Sequence, residues 1–329
     1  MVGIGYTLLC EQSGPRELVR YAQLAEQAGF DFAVISDHSF PWLDSQGHAP
    51  YAWSVLGAVA QATERIGLMT YVTCPTMRYH PAIVAQKAAT VQLLSEGRFT
   101  LGLGAGENLN EHVVGRAWPP VNVRHDMLAE AIDIIGALFD GGYVNHVGRH
   151  YQIDSARLWD LPETRVPIAT AVSGARSVSR FAPVSDAMIA VEPNGELCRG
   201  WEASGGAGHR KIGQQPVSWD TDEAAARKRA HDQFRWFAGG WKVNAELPGT
   251  AAFAAATQFV TPDDVAGNIP CGPDEQRIVD AATGYVDAGF TDVALCQIGD
   301  ENQERFLAMA GATLLPALRA AVGGEGPPS

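Results

Sequence analysis

Along the chain, short apolar runs alternate with longer stretches in which apolar positions recur every three or four residues. The first pattern predicts buried strands and the second amphipathic helices. Runs at 3–9, 32–35, 66–72 and 99–103 read as strands, each followed by a helical stretch, at 16–28, 52–63, 81–94 and 123–139. Pro15 opens the first helix and Gly29 stops it. A polar, hairpin-like segment at 143–154 decorates the surface. Strands are then expected at 167–172, 187–191, 211–219 and 291–296, with helices at 175–183, 222–236, 274–288 and 302–320. Residues 239–270 break the rhythm with Gly239-Gly240, Pro248-Gly249 and an alanine-rich run from Ala251 to Ala256. They read as a substrate-side insertion of short helices.

Strand–helix repetition with short connections is the signature of a parallel α/β sheet. Eight such units predict a (β/α)8 TIM barrel, a single domain over 1–322 carrying the insertion at about 239–270. The tail, 323–329, is too rich in glycine and proline to order itself.

Composition narrows the function. With a hydrophobic fraction of 46% in 329 residues, there is material for a large core. A net charge of −13 argues against nucleic-acid binding, which needs a basic surface. No apolar stretch reads as long enough to cross a bilayer, and no signal peptide is evident. Five scattered cysteines without metal-ligand spacing suit a reducing cytoplasm.

Candidate chemistry gathers just past strand ends, the face where barrels build active sites. Glu11 follows the first strand, His38 and Trp42 the second, and Glu107 the fourth. Two carboxylates and an imidazole suit proton transfer, because histidine titrates near neutrality. Gly102, Gly104 and Gly106 alternate through and past the fourth strand, leaving one face bare for something flat or bulky to approach. Their spacing and mid-chain position do not fit a dinucleotide fingerprint. Ser173-Gly174, leading into a helix, could offer backbone N–H groups to an anion. His146 and His150 lack a carboxylate or thiolate to complete a metal set, so no metal site is expected.

Four segments together carry a resemblance. They are Ser36-Asp37-His38-Ser39-Phe40-Pro41-Trp42, Gly47-His48-Ala49-Pro50, Cys74-Pro75-Thr76-Met77-Arg78-Tyr79-His80-Pro81-Ala82 and Gly104-Ala105-Gly106-Glu107-Asn108-Leu109-Asn110-Glu111. The chain resembles the bacterial luciferase-like barrel oxidoreductases that use the deazaflavin coenzyme F420, and within them the F420-dependent glucose-6-phosphate dehydrogenase group. The resemblance implies that His38 takes the proton of a substrate hydroxyl and that Trp42 stacks beside the reacting centre. It implies Glu107 as proton donor or electrostatic partner, with Glu11 close by. Asp37, Tyr71, Val72, Cys74, Gly106, Glu107, Asn110, Ser173 and Gly174 would hold the coenzyme, with a cis peptide at Tyr71–Val72 backing its ring. The ring is expected between His38 and Glu107. A homodimer is implied as well.

The sequence departs from the sugar-phosphate pattern. Where those relatives are expected to carry a Gly-Lys-Gly lysine after the sixth strand, this chain reads Glu192-Pro193-Asn194-Gly195. The insertion offers Ala251-Ala252-Phe253-Ala254-Ala255-Ala256 instead of a lysine, and the next basic position falls at Gly267-Asn268. Each charged hydrogen bond to a phosphate contributes roughly 1.5–3 kcal/mol. The expected pocket, with Trp42, Glu192, Asn194, Phe253 and Trp201, therefore suits an uncharged secondary or polycyclic alcohol over glucose 6-phosphate. A flavin-dependent monooxygenase of the same superfamily and a non-catalytic coenzyme-binding protein are the alternatives.

Overall fold

The computed structural model describes residues 2–323; the expectation for the tail concerns residues of which all but Gly323 lie outside that range. Ten strands form: β1 Gly3–Leu8, β2 Phe32–Ile35, β3 Gly67–Thr70, β4 Phe99–Leu103, β5 Val144–Val147, β6 Gln152–Ala156, β7 Ile168–Ala171, β8 Ala187–Ile189, β9 Arg210–Val217 and β10 Asp292–Gln297. Strands β5 and β6 make the predicted surface hairpin. The other eight close a parallel barrel in the order β1-β10-β9-β8-β7-β4-β3-β2. Each strand therefore sits beside its sequence neighbours, as short βα connections require.

The helices are α1 Pro15–Ala28, α2 Ala52–Ala62, α3 Pro81–Leu94, α4 Asn108–Glu111, α5 Val121–Phe139, α6 Ala175–Phe181, α7 Gly195–Trp201, α8 Glu223–Phe234, α9 Trp241–Asn244, α10 Thr250–Ala256, α11 Pro262–Ala266, α12 Glu275–Asp287, α13 Gln303–Met309 and α14 Leu315–Val322. Gly29, with φ at 98°, ends α1 in the left-handed conformation that only glycine adopts without strain. The barrel interior is filled by Phe32, Val34, Met69, Ala169, Ile189, Ile212 and Ala294, and the helices bury a larger core against its outside.

Three expectations change here. Helix α7 is an element the periodicity does not predict; its signal is Asn194, whose side chain accepts from the backbone N–H groups of Glu196 and Leu197 as an N-cap. Trp201 does not line a pocket but is fully buried in the core. The run Asp300–Val322 is, by length and composition, apolar enough to cross a bilayer. Its apolar side nevertheless packs on the barrel: Phe306, Leu307, Ala310, Leu314 and Leu318 are all buried in the core.

Candidate active site

The C-terminal ends of β1 to β4 bring the four chemical motifs to one mouth. His38 stands between two carboxylates. Its Nδ1 lies 2.8 Å from Glu11 Oε1 and its Nε2 lies 3.3 Å from Glu107 Oε2. All three side chains are nearly removed from solvent, at 7%, 1% and 12% exposure. Glu11 is held from behind. Ser36 donates to its Oε2 at 2.5 Å and in turn accepts from the backbone of Cys10 at 2.9 Å. Asn110 places Glu107, donating to its Oε2 at 2.8 Å, while its own oxygen accepts from the backbone of Ser39 and Phe40. One amide thus ties the loop carrying His38 to the turn carrying Glu107.

Burial opposes charge on His38, but Glu11 and Glu107 outweigh it and hold the imidazole up at about 9. Burial pushes Glu11 up too; the His38 charge and the Ser36 hydrogen bond reverse this and leave it below the usual carboxylate range. Burial dominates at Glu107, which is raised despite His38. The two carboxyls are therefore shifted in opposite directions, and the imidazole between them is pushed up. Replacing Glu11 by glutamine takes away the charge that does most to hold the proton on His38. In a ring-proton NMR titration of the Glu11→Gln protein, the His38 inflection should move down from about 9; an unmoved inflection would remove Glu11 from that role.

An aromatic wall stands beside His38. Trp42 lies 5.1 Å from the imidazole, centroid to centroid. Trp236 stacks on Trp42 at 4.1 Å and 10°, and Phe253 meets it edge-on at 5.1 Å. Leu43 and Leu109 complete the buried cluster, with Trp241 and Leu247 against it. The insertion therefore contributes through α10, which brings Phe253. Trp236 is a site residue that the motifs do not reveal; an apolar ring at the polar end of α8 is its signal.

The floor of the mouth is apolar. Tyr71, Val72 and Ala171 are half-buried on top of the barrel's interior, and the Tyr71–Val72 peptide is cis. The alternating glycines explain themselves here, differently from expectation. A Cβ on Gly102 would collide with the carbonyl oxygen of Thr70, one on Gly104 with Val72 Cγ2, and one on Gly106 with Cys74 Sγ. What approaches β4 is the neighbouring β3 segment and its cis bulge. Gly106, with φ at 88°, also needs the left-handed region.

Other predicted residues are placed less simply. The Asp37 carboxylate is fully buried and receives Trp53 Nε1, Thr73 Oγ1, Arg78 Nη2 and Tyr79 OH, so it faces protein donors on every side. The backbone N–H groups of Ser173 and Gly174 already donate to Ser177 Oγ, so they are not offered to an anion. Cys74 is buried with its sulfur 2.8 Å from Thr76 Oγ1. Glu192 is exposed and Asn194 caps α7. With Pro193, Gly195, Glu196 and Arg199 they line an open groove that includes none of His38, Trp42, Glu107 or Phe253. Nor can a ring lie between His38 and Glu107, since these two side chains touch.

This constellation on a closed parallel barrel agrees with the sequence comparisons. A family model for luciferase-like monooxygenases matches residues 4–292. The chain belongs to the luciferase-like family. Among curated relatives, an F420-dependent glucose-6-phosphate dehydrogenase of Beutenbergia cavernae is 36% identical over 97% of this chain and 98% of its own. An F420-dependent hydroxymycolic acid dehydrogenase of Mycobacterium tuberculosis is 35% identical, over 87% of this chain and 81% of its own. Among solved structures, an F420-dependent secondary alcohol dehydrogenase holding an F420–acetone adduct superposes with a TM-score of 0.87 at 26% identity, covering 97% of this chain and 99% of that one. The luciferase-like barrel is thus shared with dehydrogenases of three different substrates.

Proposed function

We propose that this luciferase-like protein is a coenzyme F420-dependent dehydrogenase that oxidises an uncharged, secondary or polycyclic alcohol, working as a cytoplasmic homodimer. The observation carrying the substrate reading is the wall of Trp42, Trp236 and Phe253 directly beside His38. It offers apolar area and ring faces, and the insertion helix above it, Thr250–Ala256, carries no basic side chain. A sugar phosphate needs charged donors. Of the nearby guanidiniums, Arg78 pairs with Asp37 and Glu111 and Arg124 with Glu246, while Arg235 donates to the carbonyl oxygen of Asp232. Glu192 no longer bears on the argument, because it lies in the separate groove.

The donor set fits the coenzyme: an apolar floor for a flat ring, and a carboxyl and an imidazole at its edge. When bound, F420 supplies the acceptor for the hydride leaving the alcohol carbon. The chain handles the proton. His38 Nε2 is the edge a substrate hydroxyl can claim, because its contact to Glu107 is the longer of the two. Glu11 fixes the opposite edge and favours the imidazolium that forms. Glu107, pushed up by burial, would be the acidic group offered to the bound coenzyme. Trp42 and its stacked partner exclude water.

A base must be neutral to accept. Since His38 is held at about 9, alcohol oxidation should accelerate with pH and level off above that value. Ketone reduction, which uses the imidazolium as acid, should fall over the same interval. Initial rates in both directions across that range check this; parallel profiles would contradict it. The substrate class is tested by an alcohol panel with oxidised F420, read by loss of its absorbance. Neutral secondary alcohols should be consumed and glucose 6-phosphate hardly at all. Saturation by micromolar glucose 6-phosphate would favour the second reading, a sugar-phosphate dehydrogenase, which the names of the most similar relatives support.

A further inference from the structure

One buried cation in this mouth neither takes nor gives that proton. Arg78, just past β3, has a side chain only 9% exposed and reaches both residues flanking His38. Its Nη2 donates to the carbonyl oxygen of Asp37 at 2.6 Å and to Asp37 Oδ1 at 3.2 Å, and its Nη1 donates to Ser39 Oγ at 2.8 Å. Its Nε faces Glu111 Oε1 at 3.4 Å, while the Arg78 backbone N–H donates to Glu111 Oε2 at 2.7 Å. Glu111 is fully buried and ends α4, the turn that begins at Glu107 and holds Asn110. Arg78 therefore spans from the loop carrying the base to the turn carrying the carboxyl. A guanidinium suits this because its planar fork sets several donors at once, where a lysine ammonium acts as a point charge.

We propose that Arg78 is the positioning residue for the His38–Glu107 pair, clamping the chain on both sides of His38 to the helical turn that presents Glu107. This rests on the proposed dehydrogenase reading for its effect on turnover, but not for its effect on His38.

The clamp also carries charge. The ionisable groups facing His38 are Glu11 from the β1 loop, Glu107 from the β4 loop and Arg78 from the β3 loop. Those facing Arg78 are Asp37, Tyr79, Glu111 and Cys74. Arg78 opposes the proton on His38, against the two glutamates that favour it. It thereby keeps a base that is already too tightly protonated from becoming more so.

Two variants separate geometry from charge. Arg78→Lys keeps the charge and loses the fork. It should leave the His38 NMR inflection in place, stay folded, and lower kcat for alcohol oxidation by about tenfold, the scale of a small misplacement of reacting groups. Arg78→Gln combined with Glu111→Gln removes one ion pair whole, while Asp37 loses its cation but keeps the hydrogen bonds from Trp53, Thr73 and Tyr79. It should move the His38 inflection upward by roughly half a unit, and lower kcat at neutral pH further. The His38 signal is assigned by its absence from the His38→Gln protein. Full kcat in Arg78→Lys, an unmoved inflection in the double variant, or losses that only follow the folded fraction would each overturn the proposal. If the unaltered protein gives no F420-linked turnover, the dehydrogenase reading fails, while the His38 titration still decides the role of Arg78.

Discussion

Replacing His38 by alanine should lower the proposed F420-linked alcohol oxidation by roughly 10²–10⁴-fold, the usual contribution of a positioned acid–base group, while affinity for F420 should change little. The effect is large because the structure offers no substitute base. Glu11 is fully buried, engages its oxygens with His38 and Ser36, and is held below the usual carboxylate range, which makes it a poor acceptor. Glu107 is pushed up by burial and is held in place by Asn110. Affinity is spared because the floor of Tyr71, Val72 and Ala171 does not depend on the imidazole. Stopped-flow turnover and F420 fluorescence titration measure the two quantities separately. A variant that turns over normally takes His38 out of the mechanism. One that loses coenzyme binding in proportion makes His38 a ligand rather than a base. A parent protein with neither F420 binding nor turnover leaves only a binding module of another kind.

Gly102→Ala is expected to destabilise the barrel more than any other small change in this region. The new methyl would meet the Thr70 carbonyl oxygen, a backbone atom. Thr70 and Gly102 are also locked by two hydrogen bonds, Thr70 Oγ1 donating to the Gly102 carbonyl at 2.8 Å and the Gly102 N–H donating to Thr70 Oγ1 at 2.9 Å. Overpacking of this kind costs about 1–3 kcal/mol or more, and at this chain length Tm should fall by about 2–5 °C. Gly136→Ala is the control. It sits inside α5 with nothing within 4 Å of the added methyl, so helix propensity should leave Tm level or slightly raised. Scanning calorimetry distinguishes them, and equal Tm values for the two variants would show that β3 and β4 are not packed as described.

These glycines mark the limit of what is legible in the chain. Their alternation announces that something lies close to β4, but a missing Cβ does not say whether the neighbour is a ligand or another strand. The same holds for Asp37, Ser173 and Gly174. Their residue types suit coenzyme contact, yet the Asp37 carboxylate is taken up by Trp53, Thr73, Arg78 and Tyr79, all far along the chain, and the backbone N–H groups of Ser173 and Gly174 by Ser177 in the first turn of the next helix. Asn194 has the chemistry of a pocket residue, but the cap it makes for α7 accounts for it. Arg78 and Trp236 escape a reading of the sequence because a single arginine or tryptophan has no periodicity to betray its partner.

What the sequence by itself determined is whatever depends on local order. The alternation of strand and helix dictates eight βα units, and a parallel closed sheet follows because each unit must bury one face and pack beside its neighbour. The polar residues at strand ends then fall on one rim without further information. What only the tertiary structure decided is whatever depends on distance between rim residues. His38 is pushed up to about 9 because two glutamates from other loops lie 2.8 and 3.3 Å from it. His38 and Glu107 stand too close for a flat group to lie between them, and Glu192 lines an open groove with Asn194 and Arg199. Electrostatic energy and steric fit vary over single ångströms, and spacing along a chain fixes neither until the barrel closes.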